Sequence, residues 1–190
     1  MLIAGPNLTV DRTSTLPELR PGDVLRLANV VVTPGGKGLN VARAARALGV
    51  PAALVAFLPG YMGRAVAALI AEEGVTLQGV PTSGELRSTS VILEASGRAT
   101  VLNEPGPPVS DERWVALEGV IDDALADHGV LVCSGSLPPV SLTTLTTWKP
   151  SAGLPMASDF AIVSGFTGSG NSRPASRARI TGADPAGCAA

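Results

Sequence analysis

The sequence predicts an α/β fold: a parallel sheet flanked by helices, with a small β lid apart from it. Three observations carry this prediction. Short apolar runs alternate with helix-periodic segments in βαβα order, which implies parallel strands joined by packed helices. The run Ala52 to Phe57 is apolar without interruption, as strands buried on both faces are. Two further strand-like runs, Ser88 to Glu94 and Ala99 to Asn103, are separated by Ala95-Ser96-Gly97-Arg98, which reads as a hairpin breaking the alternation.

Leu2-Ile3-Ala4 is a strand stopped by Gly5-Pro6-Asn7, and its end is expected to deliver Asp11 to a loop. Val24 to Leu27 and Val30 to Val32 are short strand-like runs leading into Thr33-Pro34-Gly35-Gly36-Lys37-Gly38-Leu39-Asn40. A helix follows, with Val41, Ala44, Ala45 and Leu48 as its expected apolar stripe and Gly49 as its stop. After the strand at 52–57, Gly60 and Gly63 open a helix through Ile70 that ends at Gly74, and Val75 to Val80 is the next strand. The hairpin, together with 24–32, is expected to form the lid over the glycine stretch. Glu104-Pro105-Gly106-Pro107-Pro108 is a rigid loop, and Ser110 an N-cap before acidic Asp111 and Glu112. The helix then runs to about Asp127 with Trp114, Leu117, Ile121 and Leu125 inward. Val130 to Cys133 is a strand whose carboxyl end carries Ser134-Gly135-Ser136-Leu137-Pro138-Pro139, where open α/β sheets bind ligands.

Composition narrows the partners. At 190 residues the chain suits one domain or half of a larger one. Its 14 basic and 16 acidic residues, net charge −2, are mixed along the chain, so no basic footprint for nucleic acid or an anionic membrane exists. Two cysteines, Cys133 and Cys188, make no disulfide framework, and the expectation is a reduced, cytoplasmic protein. No apolar run approaches the roughly 18 residues of a membrane span. The single histidine, His128, sits at a helix end and belongs with its dipole rather than a metal.

The glycine stretch is where chemistry is expected. Glycines let the backbone approach a ligand, and the helix behind them aims unpaired N–H groups and a positive dipole end at it. Lys37 adds charge and Asn40 both a donor and an acceptor, which suits a phosphorylated, hydroxyl-rich molecule. The alternative is a turn that only reverses the chain. Neither the dinucleotide fingerprint nor the P-loop spacing fits. Gly165 to Ser172 does have P-loop spacing, but Asn171 stands where the lysine must be, and Arg173-Pro174 opposes a helix there.

With these pieces the chain resembles the ribokinase-like PfkB carbohydrate kinases, nearest their 1-phosphofructokinase and tagatose-6-phosphate kinase branch. The matching segments are Asp11-Arg12-Thr13, Pro34-Gly35-Gly36-Lys37-Gly38 with Asn40, Arg87, Asn103-Glu104-Pro105-Gly106-Pro107 and Ser134 to Pro139. They cover residues 1–139, the N-terminal half of such a kinase, with lid strands about 12–32 and 86–104 and the C-terminal half of the fold missing. The resemblance implies a ketohexose phosphate as substrate. Asp11, Gly36 and Asn40 would hold its hydroxyls, and Lys37, Arg87 and Ser136 its phosphate, with Gly35, Ser134 and Gly135 in the same loops. Asn103 and Glu104 are expected beside them, although Asn-Glu before Pro-Gly-Pro is equally turn chemistry. ATP and Mg2+ are the family's co-reactants, and a homodimer through the lid is the implied assembly.

The family's Gly-Ala-Gly-Asp motif, with its catalytic aspartate, is not found after Val140, and neither is the ATP site. No catalytic residue is therefore assigned. Residues 140–190 are expected to be an unrelated tail, showing no periodicity beyond Phe160 to Val163. With suitable synonymous codons, shifting the frame by one base from Val140 to Met156 yields Gly-Val-Pro-Asp-Asp-Phe followed by helical spacing, as the family would continue. A frameshift near Pro139 is the expected origin of the tail, and sequencing the gene across those codons tests it.

Overall fold

The structure is a computed structural model that describes residues 1–139 and the backbone of 161–166. Two sheets account for every described strand. The larger is wholly parallel, in the order β5-β4-β1-β8-β9: β1 (Leu2–Ala4), β4 (Ala53–Pro59), β5 (Thr76–Thr82), β8 (Val130–Gly135) and β9 (Ala161–Phe166). From the central β1 the chain builds outward to β4 and β5 on one side, then to β8 and β9 on the other. The reversal of direction falls between β1 and β8, and ligands bind at such switch points, beyond the carboxyl ends of the strands.

Helices cover both faces, which explains why β4 is apolar throughout. On one face Leu2, Val55, Phe57 and Leu131 pack against α3 (Asp111–Leu125). On the other Ile3, Leu54 and Ala56 pack against α1 (Lys37–Ala47) and α2 (Gly60–Glu72). The stripe expected for α3 is the buried one: Trp114, Leu117, Ile121 and Leu125 are all inside, and Phe57 meets the Trp114 ring edge-on with centroids 4.8 Å apart. Ser110 stands at the α3 N-cap position, but its backbone carbonyl, not its hydroxyl, accepts the N–H groups of Arg113 and Trp114.

The stripe expected for α1 needs correction. Gly38, Leu39, Ala42 and Ala45 are buried, whereas Leu48 is 80% exposed. The reason is backbone contact. A Cβ on Gly38 would lie 2.6 Å from the Gly5 Cα, so the first turn of α1 rests directly on the end of β1, and that contact fixes which face turns inward. Gly49 does stop the helix, with φ +72°.

The second sheet has the order β3-β2-β6-β7, from β2 (Thr9–Leu16), β3 (Val30–Gly35), β6 (Ser88–Glu94) and β7 (Ala99–Asn103). The predicted hairpin is β6-β7, paired antiparallel. Two expectations about this lid are corrected. Residues 24–27 are not strand, and Val24 is 89% exposed; a short run broken by Arg26 and without a partner strand has nothing to pair with. Asp11 lies within β2 rather than in a loop, because Thr9, Val10, Thr13 and Thr15 continue a β-favouring pattern on both sides of it. β8 likewise runs on to include Ser134 and Gly135.

β9 lies where the sequence shows its one strand-like run past position 140. The remaining tail, including Cys188 and most of the P-loop-like segment, lies outside the described residues. No helix among the described residues is long and apolar enough to cross a membrane.

Candidate sugar-phosphate site

The carboxyl ends of β1 and β8 adjoin, and the residues that follow them are tied together. Asn7, three residues past β1, donates from Nδ2 to the Ser136 hydroxyl at 2.9 Å and to the Pro105 carbonyl at 3.4 Å. Its own backbone carbonyl accepts from Arg87 Nη2 at 3.3 Å, and Arg87 Nη1 donates to the Glu104 carbonyl at 3.3 Å. Glu104 in turn accepts from the Ser88 N–H and hydroxyl, both at 2.7 Å. Those two bonds hold the Glu104 carboxyl below the usual carboxylate range, with Arg87 adding to the effect. Gly106, with φ +91°, lets the loop close over Asn7, since a Cβ there would stand 3.1 Å from Asn7 Oδ1.

Arg87 is the electrostatic centre of this network. It is half-buried, and desolvation pulls its guanidinium below the ordinary value while Asp11 and Glu104 act to raise it. An arginine keeps its charge regardless. Its Nε is buried and meets no hydrogen-bond partner among the described residues. A cation held in place by two carbonyls, with a donor to spare, is suited to an anionic oxygen.

The glycine stretch joins from the lid side. Gly35 ends β3, and its lack of a side chain is required: a Cβ there would fall 2.1 Å from Asp11 Oδ2, so the carboxylate lies across it. Asp11 Oδ1 is buried with no partner among the described residues. Gly36 takes φ +119° as the N-cap of α1 and makes no side-chain cap bond, leaving the helix to open on backbone N–H groups. Lys37 follows, with its Cβ 3.8 Å from the Cβ position of Gly135, so the first turn of α1 meets the end of β8.

Ser136, Arg87 and Glu104 thus share one network, Asp11 sits on Gly35, and Lys37 sits beside Gly135. Asn40 and Asn103 connect through intermediaries. Asn40 Oδ1 accepts from Arg43 Nη1 at 3.0 Å, and Arg43 also donates to the Pro34 carbonyl at 2.8 Å and pairs with Glu73 at 2.5 Å. That pairing raises the Arg43 guanidinium and lowers the Glu73 carboxyl. Asn103 accepts from Thr89 at 3.0 Å, and in register Thr33, Asp11, Thr89 and Asn103 form one row across the lid. Ser134 is half-buried in β8. Cys133, beside it, is pushed up to about 11 by burial and is no nucleophile.

Sequence reasoning missed Asn7 and Arg43. Asn7 read as part of a strand stop, and Arg43 was not singled out; Asn7 reaches Ser136 and Pro105, and Arg43 reaches Glu73, all distant in the chain. Among the described residues no group of three His, Cys, Asp or Glu is gathered that could hold a metal ion.

Comparison with known proteins bears on the family of the chain. The chain is 33% identical over 141 residues to a 1-phosphofructokinase of Haloferax volcanii, covering 73% of this chain and 45% of that protein. It is 34% identical over 140 residues to ATP-dependent 6-phosphofructokinase isozyme 2 of Escherichia coli K12, with the same coverage. The crystal structure of Escherichia coli phosphofructokinase-2 in complex with fructose-6-phosphate superposes with a TM-score of 0.75 at 28% identity, covering 90% of this chain and 55% of that one. The chain therefore spans about half the length of the relatives it matches. A model of the pfkB family of carbohydrate kinases matches residues 7–160, most of the chain, and the chain belongs to that family.

Proposed function

We propose that the chain carries the sugar-phosphate side of an ATP-dependent kinase acting on a ketohexose phosphate, fructose 1-phosphate giving fructose 1,6-bisphosphate. The observation that supports this best is Arg87, a half-buried cation with an unpartnered Nε, linked through Asn7 to Ser136 at the switch point of the sheet. In this reading Arg87, Lys37 and Ser136 take the phosphate, and Asp11, Gly36 and Asn40 the ring hydroxyls. Gly35, Ser134 and Gly135 shape the backbone around them, with Asn103 and Glu104 at the rim. The charge-assisted bonds to the phosphate are the strong ones, each worth about twice a neutral bond.

Phosphoryl transfer further requires a placed base and donors around the transferring group. When bound, ATP supplies the phosphoryl group; the residues of this chain bind and orient the acceptor sugar. With no Gly-Ala-Gly-Asp motif in the sequence, the chain by itself is expected to bind without turning over. Calorimetric titration with fructose 1-phosphate, beside a coupled ADP-release assay, tests both parts. Binding without ADP release is the expected result, turnover at kinase rates would restore the full enzyme, and no binding would defeat the proposal.

The lid favours a homodimer as its setting. Its edge strands β3 and β7 leave Val31 57%, Val101 50% and Leu102 57% exposed, apolar surface that a second lid would cover.

A further inference from the structure

Ser136 can serve a phosphate only if its hydroxyl proton points to the ligand, and a serine hydroxyl rotates freely unless something fixes it. Asn7 is placed to fix it. The Pro105 carbonyl can only accept, and it lies 3.4 Å from Asn7 Nδ2, so the nitrogen of that amide, not its oxygen, faces the neighbouring Ser136 Oγ at 2.9 Å. Nδ2 can only donate. One lone pair of the Ser136 oxygen is therefore occupied, and its proton is turned away from Asn7.

The same residue holds the second phosphate-binding candidate by a separate arm. Its backbone carbonyl accepts from Arg87 Nη2, and this bond does not depend on the side chain. Asn7 is half-buried, stands right after Pro6 and is closed over by Gly106, so it has little freedom to turn. We infer that Asn7 is a positioning residue that sets Ser136 as a hydrogen-bond donor and thereby gives the site its preference for a phosphorylated sugar over the bare sugar. This rests on the sugar-phosphate reading above.

Because the Arg87 arm is backbone, a side-chain substitution isolates the Ser136 arm. The test is titration calorimetry of the full 190-residue chain with fructose 1-phosphate and with fructose, for the unchanged protein, Asn7→Ala, Ser136→Ala and the double variant. Asn7→Ala should lower the preference for fructose 1-phosphate roughly three- to tenfold, the range of one ordinary hydrogen bond, with fructose affinity unmoved. In the Ser136→Ala background the same substitution should have no further effect. Should Asn7→Ala fold poorly by circular dichroism, Asn7→Ser, whose shorter side chain does not reach, replaces it with the same expectation. Equal losses for both sugars, or a full effect without Ser136, would make Asn7 a merely structural residue and overturn the inference alone. If the unchanged chain shows no preference for the phosphorylated sugar, the sugar-phosphate reading falls and this inference with it.

Discussion

Gly35 and Asp11 show how a single missing side chain makes room for a buried carboxylate. Nothing about the Gly35 backbone demands glycine, since its φ is not in the left-handed region; the demand comes from the carboxylate lying across it. Gly35→Ala should therefore force Asp11 aside, costing about 1–3 kcal/mol in stability by overpacking and weakening fructose 1-phosphate binding together. Denaturant melts and calorimetry read the two effects. An unchanged affinity would mean that Asp11 does not contact the sugar. At this scale the sequence was informative for residue types, because charged and glycine residues in loops and strand ends already pointed to an anion. It was silent on Asn7, whose partners Ser136 and Pro105 lie 129 and 98 residues away.

Among the elements, α2 illustrates a cap that does not come from its own segment. The N-cap position is Pro59, which offers no side-chain acceptor, and Glu85 from beyond β5 supplies one instead, accepting from the Tyr61 and Met62 N–H groups at 3.0 and 3.1 Å. Those two bonds lower the Glu85 carboxyl from its ordinary value. A carboxyl lowered on folding contributes stability above its unfolded value and loses it as pH falls through the folded one. Glu85→Gln should thus melt earlier than the unchanged chain near neutral pH, with the two curves converging in acid below the carboxylate range. A gap that persists in acid would assign the effect to packing rather than charge. The capping was not legible in the sequence: Gly60 and Gly63 marked the helix start, but the acceptor stands 24 residues from Tyr61. The stripe of α1 failed for a related reason, since the Gly5 and Gly38 contact, between elements, outweighed the apolar periodicity within the helix.

Taken whole, the molecule is a doubly covered parallel sheet with a bare-edged lid. The exposed apolar residues of that lid make the assembly testable: Val31→Lys with Leu102→Lys should shift the particle from twice the chain mass to the chain mass in light scattering. Should the unchanged chain already run as a monomer at micromolar concentration, the lid has no partner of its own kind. The alternation of strand and helix, the hairpin and the family motifs could all be read from the sequence, because each depends on neighbours within a few residues. The strand order could not. That β8 lies beside β1, with the reversal between them, decides where Asn7, Arg87 and Ser136 meet, and it follows from long-range burial of apolar faces rather than from any local pattern. The sequence alone determined which chemical groups this protein has and the class of fold that carries them. Only the tertiary structure decided which of them come together, since pairing distant strands is a global compromise of packing that no short stretch of chain encodes.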